Sequence, residues 1–151
     1  MDPLKIRKAH QDDILIIHSF NQKMALETEN LRLSDDVSLS GVKRLFDFSN
    51  FGFYVVAELQ GEVVACLLIS YEWSDWRDGL VWWIASVYVV PDHRRKGIYK
   101  KMYNYVRESA EKRDDVRGIR LYVHDENISA QKTYEKLGME KTEYRVFEEM
   151  F

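Results

Sequence analysis

Cysteine, proline and excess positive charge are all scarce in this 151-residue sequence, and each scarcity excludes a class of protein. The single cysteine, Cys66, excludes an internal disulfide framework and a cysteine-ligated zinc site. It lies in the apolar run 63–69, which favours a buried structural thiol over a nucleophile. Two prolines and seven glycines imply no long flexible linker. A net charge of -3 argues against a general binder of nucleic acid, which would carry a wide basic face.

Long apolar runs are also missing, and we expect no leader. No run is long enough to cross a membrane, and the first residues do not resemble a signal peptide. Hydrophobic residues make up 46% of the sequence and aromatic residues 13%, which is too apolar for a disordered chain. We therefore expect a single domain over residues 1–151, with a sizeable core, in a cytoplasmic protein without a membrane partner.

The hydrophobic pattern changes repeatedly between the period of a strand and that of a helix. In chain order it predicts a strand over 4–8, a helix from about 11 to the late 20s, a short helix after Ser38, strands over 52–59, 62–73 and 80–90, a helix over 96–112, a strand over 117–123, a helix over 128–137, and one or two closing strands within 139–151. The strand over 80–90 is apolar on both sides, as in a central strand with helices on both faces.

A basic turn joins that central strand to the helix that follows it. It reads Arg94-Arg95-Lys96-Gly97-Ile98-Tyr99, with further lysines in the next turn of the helix. A helix N-terminus has unsatisfied backbone N–H groups and a partial positive charge, so such a turn can hold a phosphate or pyrophosphate. Gly97 would let an anion approach the backbone closely.

A second motif follows the next predicted strand. Asn127 can cap the helix over 128–137, which contains Tyr134 and ends at Leu137-Gly138-Met139. Together, the basic turn and this motif resemble the GNAT superfamily of N-acetyltransferases in order and spacing. The resemblance implies an α/β fold (α+β by some schemes), with a mixed central sheet of six to seven strands, helices on both faces and splayed central strands.

By resemblance, the co-substrate is acetyl-coenzyme A and no metal is needed. The pyrophosphate would lie in the basic turn, the pantetheine arm along the central strand, and Asn127 near the far part of the arm. The implied coenzyme-binding residues are Val87, Tyr88, Val89, Arg94, Arg95, Lys96, Gly97, Ile98, Tyr99, Asn127 and Tyr134. Tyr134 would also protonate the leaving thiolate as general acid, and a backbone N–H near Val87 would stabilise the oxyanion.

The general base is less clear from the sequence. Many relatives have a glutamate on the central strand, where this chain has Ala85 and Ser86. Glu72, near the end of the preceding strand, could act through water, or it could be a surface carboxylate beside a turn. A water chain alone could also suffice for an amine that binds partly neutral. Two further departures are Arg95 in place of a common glycine and Tyr99 in place of glycine or alanine.

The acceptor is the largest unknown. Glu27, Glu29 and the tryptophans, including Trp83, favour a small cationic amine, because a cation can rest on an aromatic face. The same residues could instead be solvated surface and core packing. A peptide or protein amine is the alternative acceptor, and a non-catalytic acyl-coenzyme A binding module is the alternative function. The apolar tail, Tyr144 to Phe151, would permit a homodimer.

Overall fold

The computed structural model describes residues 3–151. Internal contacts divide the chain into two compact units, Met1–Leu121 and Tyr122–Phe151. The described part of the first unit, residues 3–121, contains five strands and three α-helices: β1 (Lys5–Lys8), α1 (Ile14–Glu29), α2 (Asp35–Asp47), β2 (Gly52–Leu59), β3 (Glu62–Ser74), β4 (Gly79–Val89), α3 (Ile98–Glu111) and β5 (Val116–Leu121). The second contains α4 (Ile128–Lys136). Up to α4 the elements follow the predicted order.

The sheet of the first unit has the order β1-β2-β3-β4-β5. Its first four strands are antiparallel neighbours, whereas β4 and β5 are parallel and are joined through α3. The turn between β2 and β3 has positive φ at both Gln60 (52°) and Gly61 (81°), which suits a two-residue hairpin. The result is the expected mixed α/β architecture, with five strands rather than six or seven.

Two layers of side chains cover the sheet. Ile17 and Phe20 of α1 and Val42 of α2 pack with Tyr54 and neighbouring strand residues in one buried cluster. Side chains that alternate with these along the strands are equally buried, among them Val55, Ile69 and Ile84. The α3 helix contacts β1, β2, β4 and β5 and buries Met102 and Val106 completely. Cys66 is fully buried, as predicted.

A partly buried ion-pair network ties β1 to the start of α1. Arg7 donates from Nη1 and Nη2 to the Asp13 carboxylate at 2.7 and 3.1 Å, and from Nε to Glu58 Oε2 at 2.9 Å. Burial alone would raise the pKa of Asp13, but hydrogen bonds from Arg7 and from the His10 backbone outweigh burial and lower it. Asp13 is therefore held as a carboxylate in the core.

The start of the second helix differs from the sequence prediction. The α2 helix begins at Asp35, and the hydroxyl of Ser34 caps it by accepting from the Val37 N–H. Ser38 lies inside the helix, where its hydroxyl donates to the Ser34 carbonyl oxygen and lies 2.8 Å from His18 Nε2. Both serines satisfy the local preference for a cap, and Asp35 and Asp36 suit the first turn of a helix that begins after the earlier one, because acidic side chains are stabilising at a helix N-terminus.

In the second unit, the predicted helix is confirmed and the predicted closing strands are not. Asn127 caps α4, its Oδ1 accepting from the Ala130 N–H at 3.1 Å, and Gly138 ends it with a φ of 95°. Within residues 3–151, the segment 139–151 contains no strand. Its large apolar side chains are exposed, so an alternating pattern is present without the neighbouring strand that a ladder requires.

Candidate functional site

Two residues with left-handed backbone shape the basic turn before α3. Arg95 has a φ of 61° and Gly97 a φ of 79°, and Gly97 is the N-cap of α3. Lys101 donates its N–H to the Gly97 carbonyl oxygen at 3.2 Å, so the N–H groups of Ile98 and Lys100 lie at the open end of the helix. Left-handed residues within such a turn curve the N–H groups into a concave, anion-binding nest. The turn can therefore hold an anion, and a pyrophosphate in it stays a prediction.

The two departures in this turn have different consequences. At Arg95, a left-handed backbone costs a non-glycine residue about 1 kcal/mol, which explains why glycine suits this position. Tyr99 is the second residue of α3, and its ring lies along the helix, 6.5 Å from the ring of Tyr103. The helix begins at Ile98 with this larger residue in its first turn. Lys96 and Lys100 are exposed and add positive charge at its rim.

Arg94 points back toward α1. Its Nη1 and Nη2 donate to the two carboxylate oxygens of Glu27 at 3.0 and 2.9 Å, and its Nε donates to the Val89 carbonyl oxygen at 2.8 Å. The guanidinium also lies over the ring of Tyr88, 5.4 Å from its centre. The hydrogen bonds from Arg94 lower the pKa of Glu27. A predicted coenzyme ligand and a predicted acceptor ligand are thus paired with each other.

A β-bulge interrupts β4 where the transfer centre was predicted. Opposite Leu67 of β3, β4 has two residues, Ser86 and Val87, where regular pairing has one. Ser86 has a φ of 50°, a left-handed conformation. The extra residue reverses the alternation, so that Trp83 and Tyr88 lie on the same face. A bulge re-aims the local backbone groups, and the oxyanion donor near Val87 stays a prediction.

The parallel pairing of β4 ends before the bulge. Its last residue pair with β5 is Ile84 with Leu121, and β4 then continues through residues 85–89 without a β5 partner. At the end of this stretch, the Val89 carbonyl oxygen already accepts from Arg94. Val90, the residue after β4, donates its N–H to the Val64 carbonyl oxygen. The open edge over 85–88 is therefore the part of the strand that can take an added ligand.

The two remaining motif residues lie in the second unit. Asn127 uses its side-chain oxygen to cap α4. Its side-chain NH₂ group can then donate hydrogen bonds to a ligand. Tyr134 lies on α4, and partial burial raises its pKa. The phenol is protonated at neutral pH, as a general acid must be, and the raised pKa makes it a weaker proton donor than an exposed tyrosine.

The predicted base and acceptor residues lie in two places: Glu72 and Trp83 are on the sheet, and Glu29 is at the end of α1. Glu72 Oε1 accepts from Arg120 Nη1 at 2.7 Å, and Arg120 lies opposite Trp83 in the sheet register. Glu29 is the exposed last residue of α1. Trp82 packs instead into the core on the other side of the strand, against the rings of Phe53 and Tyr71, so for this tryptophan the packing alternative is confirmed.

Three features of the site were not predicted from the sequence: the bulge at Ser86, the ion pair of Arg94 with Glu27, and the ion pair of Glu72 with Arg120. The adjacent small residues Ala85 and Ser86, in a strand of large ones, were the available signal for the bulge. The two ion pairs join residues 67 and 48 positions apart, and nothing local in a sequence specifies such pairs.

Residues 3–151 show neither a metal centre nor a membrane-spanning helix, and their one notable cavity lies away from the candidate site. They contain no group of three or more histidine, cysteine or acidic side chains placed to hold a metal ion. No helix in that range is long and apolar enough to span a membrane. A shallow cavity of about 340 Å³ lies at the β1 edge and is lined by none of the predicted site residues: its walls are Pro3, Leu4, Lys5, Glu58, Gln60 and Gly61.

Comparisons with known proteins agree with this geometry. The model of the Acetyltransferase (GNAT) family matches residues 20–139. A solved structure described as a possible acetyltransferase from Clostridium difficile 630 is 42% identical, with a TM-score of 0.91 over 99% of both chains. No curated protein matches significantly.

Two more distant structures share the fold. The aminoglycoside N-acetyltransferase AAC(6')-Iy, in complex with a bisubstrate analogue that joins coenzyme A to monomethyl-acetylneamine, is 19% identical, with a TM-score of 0.78 over 99% of both chains. A predicted acetyltransferase from Clostridium acetobutylicum, solved with acetyl-coenzyme A, is also 19% identical, with a TM-score of 0.78 over 97% of this chain and 96% of that one.

Proposed function

Since this chain belongs to the acetyltransferase (GNAT) family and is an N-acetyltransferase, we propose that it moves an acetyl group from acetyl-coenzyme A directly to a primary amine of a small acceptor. The observation that carries the proposal is the turn at 94–99. It combines two left-handed residues, an open helix N-terminus and exposed lysines directly after the stretch of β4 that continues beyond its pairing with β5. This combination suits a pyrophosphate with an arm extending from it.

The coenzyme would bind along β4. The N–H groups around Gly97 and Ile98 would hold the pyrophosphate, with Arg95 and Lys96 adding charge and Tyr99 forming part of the wall. The backbone of Val87, Tyr88 and Val89 would hold the arm, and Asn127 would contact its far part. Arg94, which is bonded to Glu27, would fix the turn in place.

Acetyl transfer then requires a short series of steps. The acceptor ammonium loses a proton, and its nitrogen forms a bond to the thioester carbon. The backbone N–H near Val87 stabilises the oxyanion, and the carbon–sulfur bond breaks. Tyr134 protonates the leaving thiolate, and the nitrogen gives up its second proton, which restores the phenol; one proton is released to solvent overall. Glu72 is the candidate carrier of the first proton through water.

A small cationic amine is the acceptor that we propose, with Trp83 and Glu29 beside it. Glu27 contributes less negative charge than the sequence suggests, because Arg94 neutralises it. The amine of a peptide or protein is the alternative acceptor, and a non-catalytic acyl-coenzyme A binding module is the alternative function. The unpaired apolar tail, with Tyr144, Phe147 and Phe151 exposed, supports a homodimer as a further proposal. A cytoplasmic location stays a prediction from the sequence.

Tyr134→Phe tests the proposed mechanism. Loss of the phenol should lower kcat by about a hundredfold, the lower end for a lost general acid, while the Kd for acetyl-coenzyme A stays near that of the wild type. Tyr144→Phe is the matched control, because Tyr144 is 83% exposed in the same unit. The measurements are thiol release with a panel of primary amines and calorimetric titration of acetyl-coenzyme A. Unchanged kcat in Tyr134→Phe would show that this tyrosine is not the acid.

A further inference from the structure

Two opposite charges meet across the central strand, on the face that carries Trp83. Glu72 of β3 lies opposite Val81, and Arg120 of β5 lies opposite Trp83. Their ion pair, at 2.7 Å, therefore crosses over β4. The side chains are 41% and 34% exposed, so both charges remain accessible to a ligand.

A glycine leaves space beside this pair. Gly118 of β5 lies opposite Val81, on the same face. A methyl group added at Gly118 would meet no atom within 4 Å, and its φ is outside the left-handed region. Neither the backbone nor the packing of the described residues requires glycine here. Glycine inside a strand can mark a place where a ligand approaches the backbone.

The pair also lies on the side from which an acceptor must come. Trp83 precedes Ala85 by two residues, a distance of about 7 Å along β4, and the bulge follows immediately. If the coenzyme arm enters from the basic turn at the C-terminal end of β4, its thioester ends near the bulge. The acceptor must then reach the thioester from the opposite direction, where Glu72 and Arg120 meet.

Resting on the proposed function, we infer that Glu72 and Arg120 form an acceptor subsite for an amine that also carries a carboxylate, as a free amino acid does. The ammonium group would replace Arg120 as the partner of Glu72, and the carboxylate would take both donors of the Arg120 fork. The pair is neutral and so is such an acceptor. An acceptor with an amine alone would occupy Glu72 and leave a partly buried guanidinium without its counter-charge.

The test compares an amino acid with its amide and with its decarboxylated amine. For the wild type, kcat/KM should be at least about tenfold higher with the amino acid, the size of one charge-assisted contact. Arg120→Gln should remove this preference, mainly through KM for the amino acid, so that the amino acid and its amide are used with similar kcat/KM. Arg120→Lys should restore part of the preference. Arg107→Gln, which removes another arginine–glutamate pair, is the control.

The outcomes separate this subsite from the proposed function. Equal use of the amino acid and its amide by the wild type, or an equal loss on both in Arg120→Gln, overturns the subsite. If the protein acetylates simple amines but no amine that carries a carboxylate, the subsite is also overturned, while the proposed function stands. If acetyl-coenzyme A neither raises the melting temperature nor is cleaved with any amine, the proposed function fails, and the subsite with it.

Discussion

Breaking the ion pair between Arg94 and Glu27 tests whether Arg94 binds a coenzyme phosphate or positions the basic turn. By resemblance, Arg94 is a phosphate ligand. In the structure its guanidinium is held by the Glu27 carboxylate and the Val89 carbonyl oxygen. We therefore predict that Arg94 positions the turn, and that Glu27→Gln and Arg94→Gln have the same kind of effect on coenzyme binding.

The size of the expected loss in coenzyme affinity follows from the solvent exposure of the two side chains. The side chains of Arg94 and Glu27 are 39% and 44% exposed, so solvent screens the pair and its contribution is about 0.5–1 kcal/mol. If that energy holds the turn in its binding shape, each substitution should weaken coenzyme binding by roughly two- to fivefold. The melting temperature should fall by only a few degrees, because the link is at the surface.

The assay is calorimetric titration of acetyl-coenzyme A at low and moderate salt, with Lys96→Gln as the comparison. Lys96 is exposed at the rim, so its loss should weaken binding more at low salt than at moderate salt. The role of Arg94 is read from Glu27→Gln. Tighter binding in that variant, together with much weaker binding in Arg94→Gln, would mean that Glu27 merely competes for a phosphate ligand, and would refute the positioning role.

Four other predictions concern the framework of the site. Gly52→Ala should destabilise the fold by about 3 kcal/mol or more in chemical denaturation, because the new methyl would overlap the Ile69 carbonyl oxygen. Ser86→Gly should raise stability by up to about 1 kcal/mol, since its left-handed backbone then costs nothing; a loss would contradict the bulge. Cys66 should not react with a thiol reagent at pH 8 in the native protein, because burial raises its pKa to about 12. Asp13 has a lowered pKa, so its contribution to stability is present above the ordinary aspartate value of about 3.9 and is lost as pH falls below it; Asp13→Asn should flatten that acid-side decline in melting temperature.

The order of elements could be predicted because it depends on local periodicity. The run over 52–59 alternates, and the turn at Gln60-Gly61 has residues that accept positive φ, so this hairpin was predicted correctly. The cap and end of α4 were predicted equally well, because Asn127 and Gly138 act on neighbouring backbone groups.

What escaped prediction depends on partners far along the chain. The bulge at Ser86 exists because β3 and β4 pair out of step, and a single strand does not encode its register. The prediction of closing strands was wrong because alternation over 139–151 indicates only that the segment could form a strand. A strand also needs a neighbouring strand to pair with. The ion pairs of Arg94 and Arg120 follow from the topology, which only the folded chain specifies.

The central claim, acetyl transfer from acetyl-coenzyme A to a primary amine, is tested most directly by incubating the protein with acetyl-coenzyme A and a panel of primary amines. Free thiol and acetylated product are measured in the same samples, by colorimetry and mass spectrometry. The account predicts at least one amine that gains a single acetyl group in equal amount to the thiol released, and much less of both in Tyr134→Phe. Binding of acetyl-coenzyme A without thiol release from any amine would contradict it and would favour the non-catalytic module.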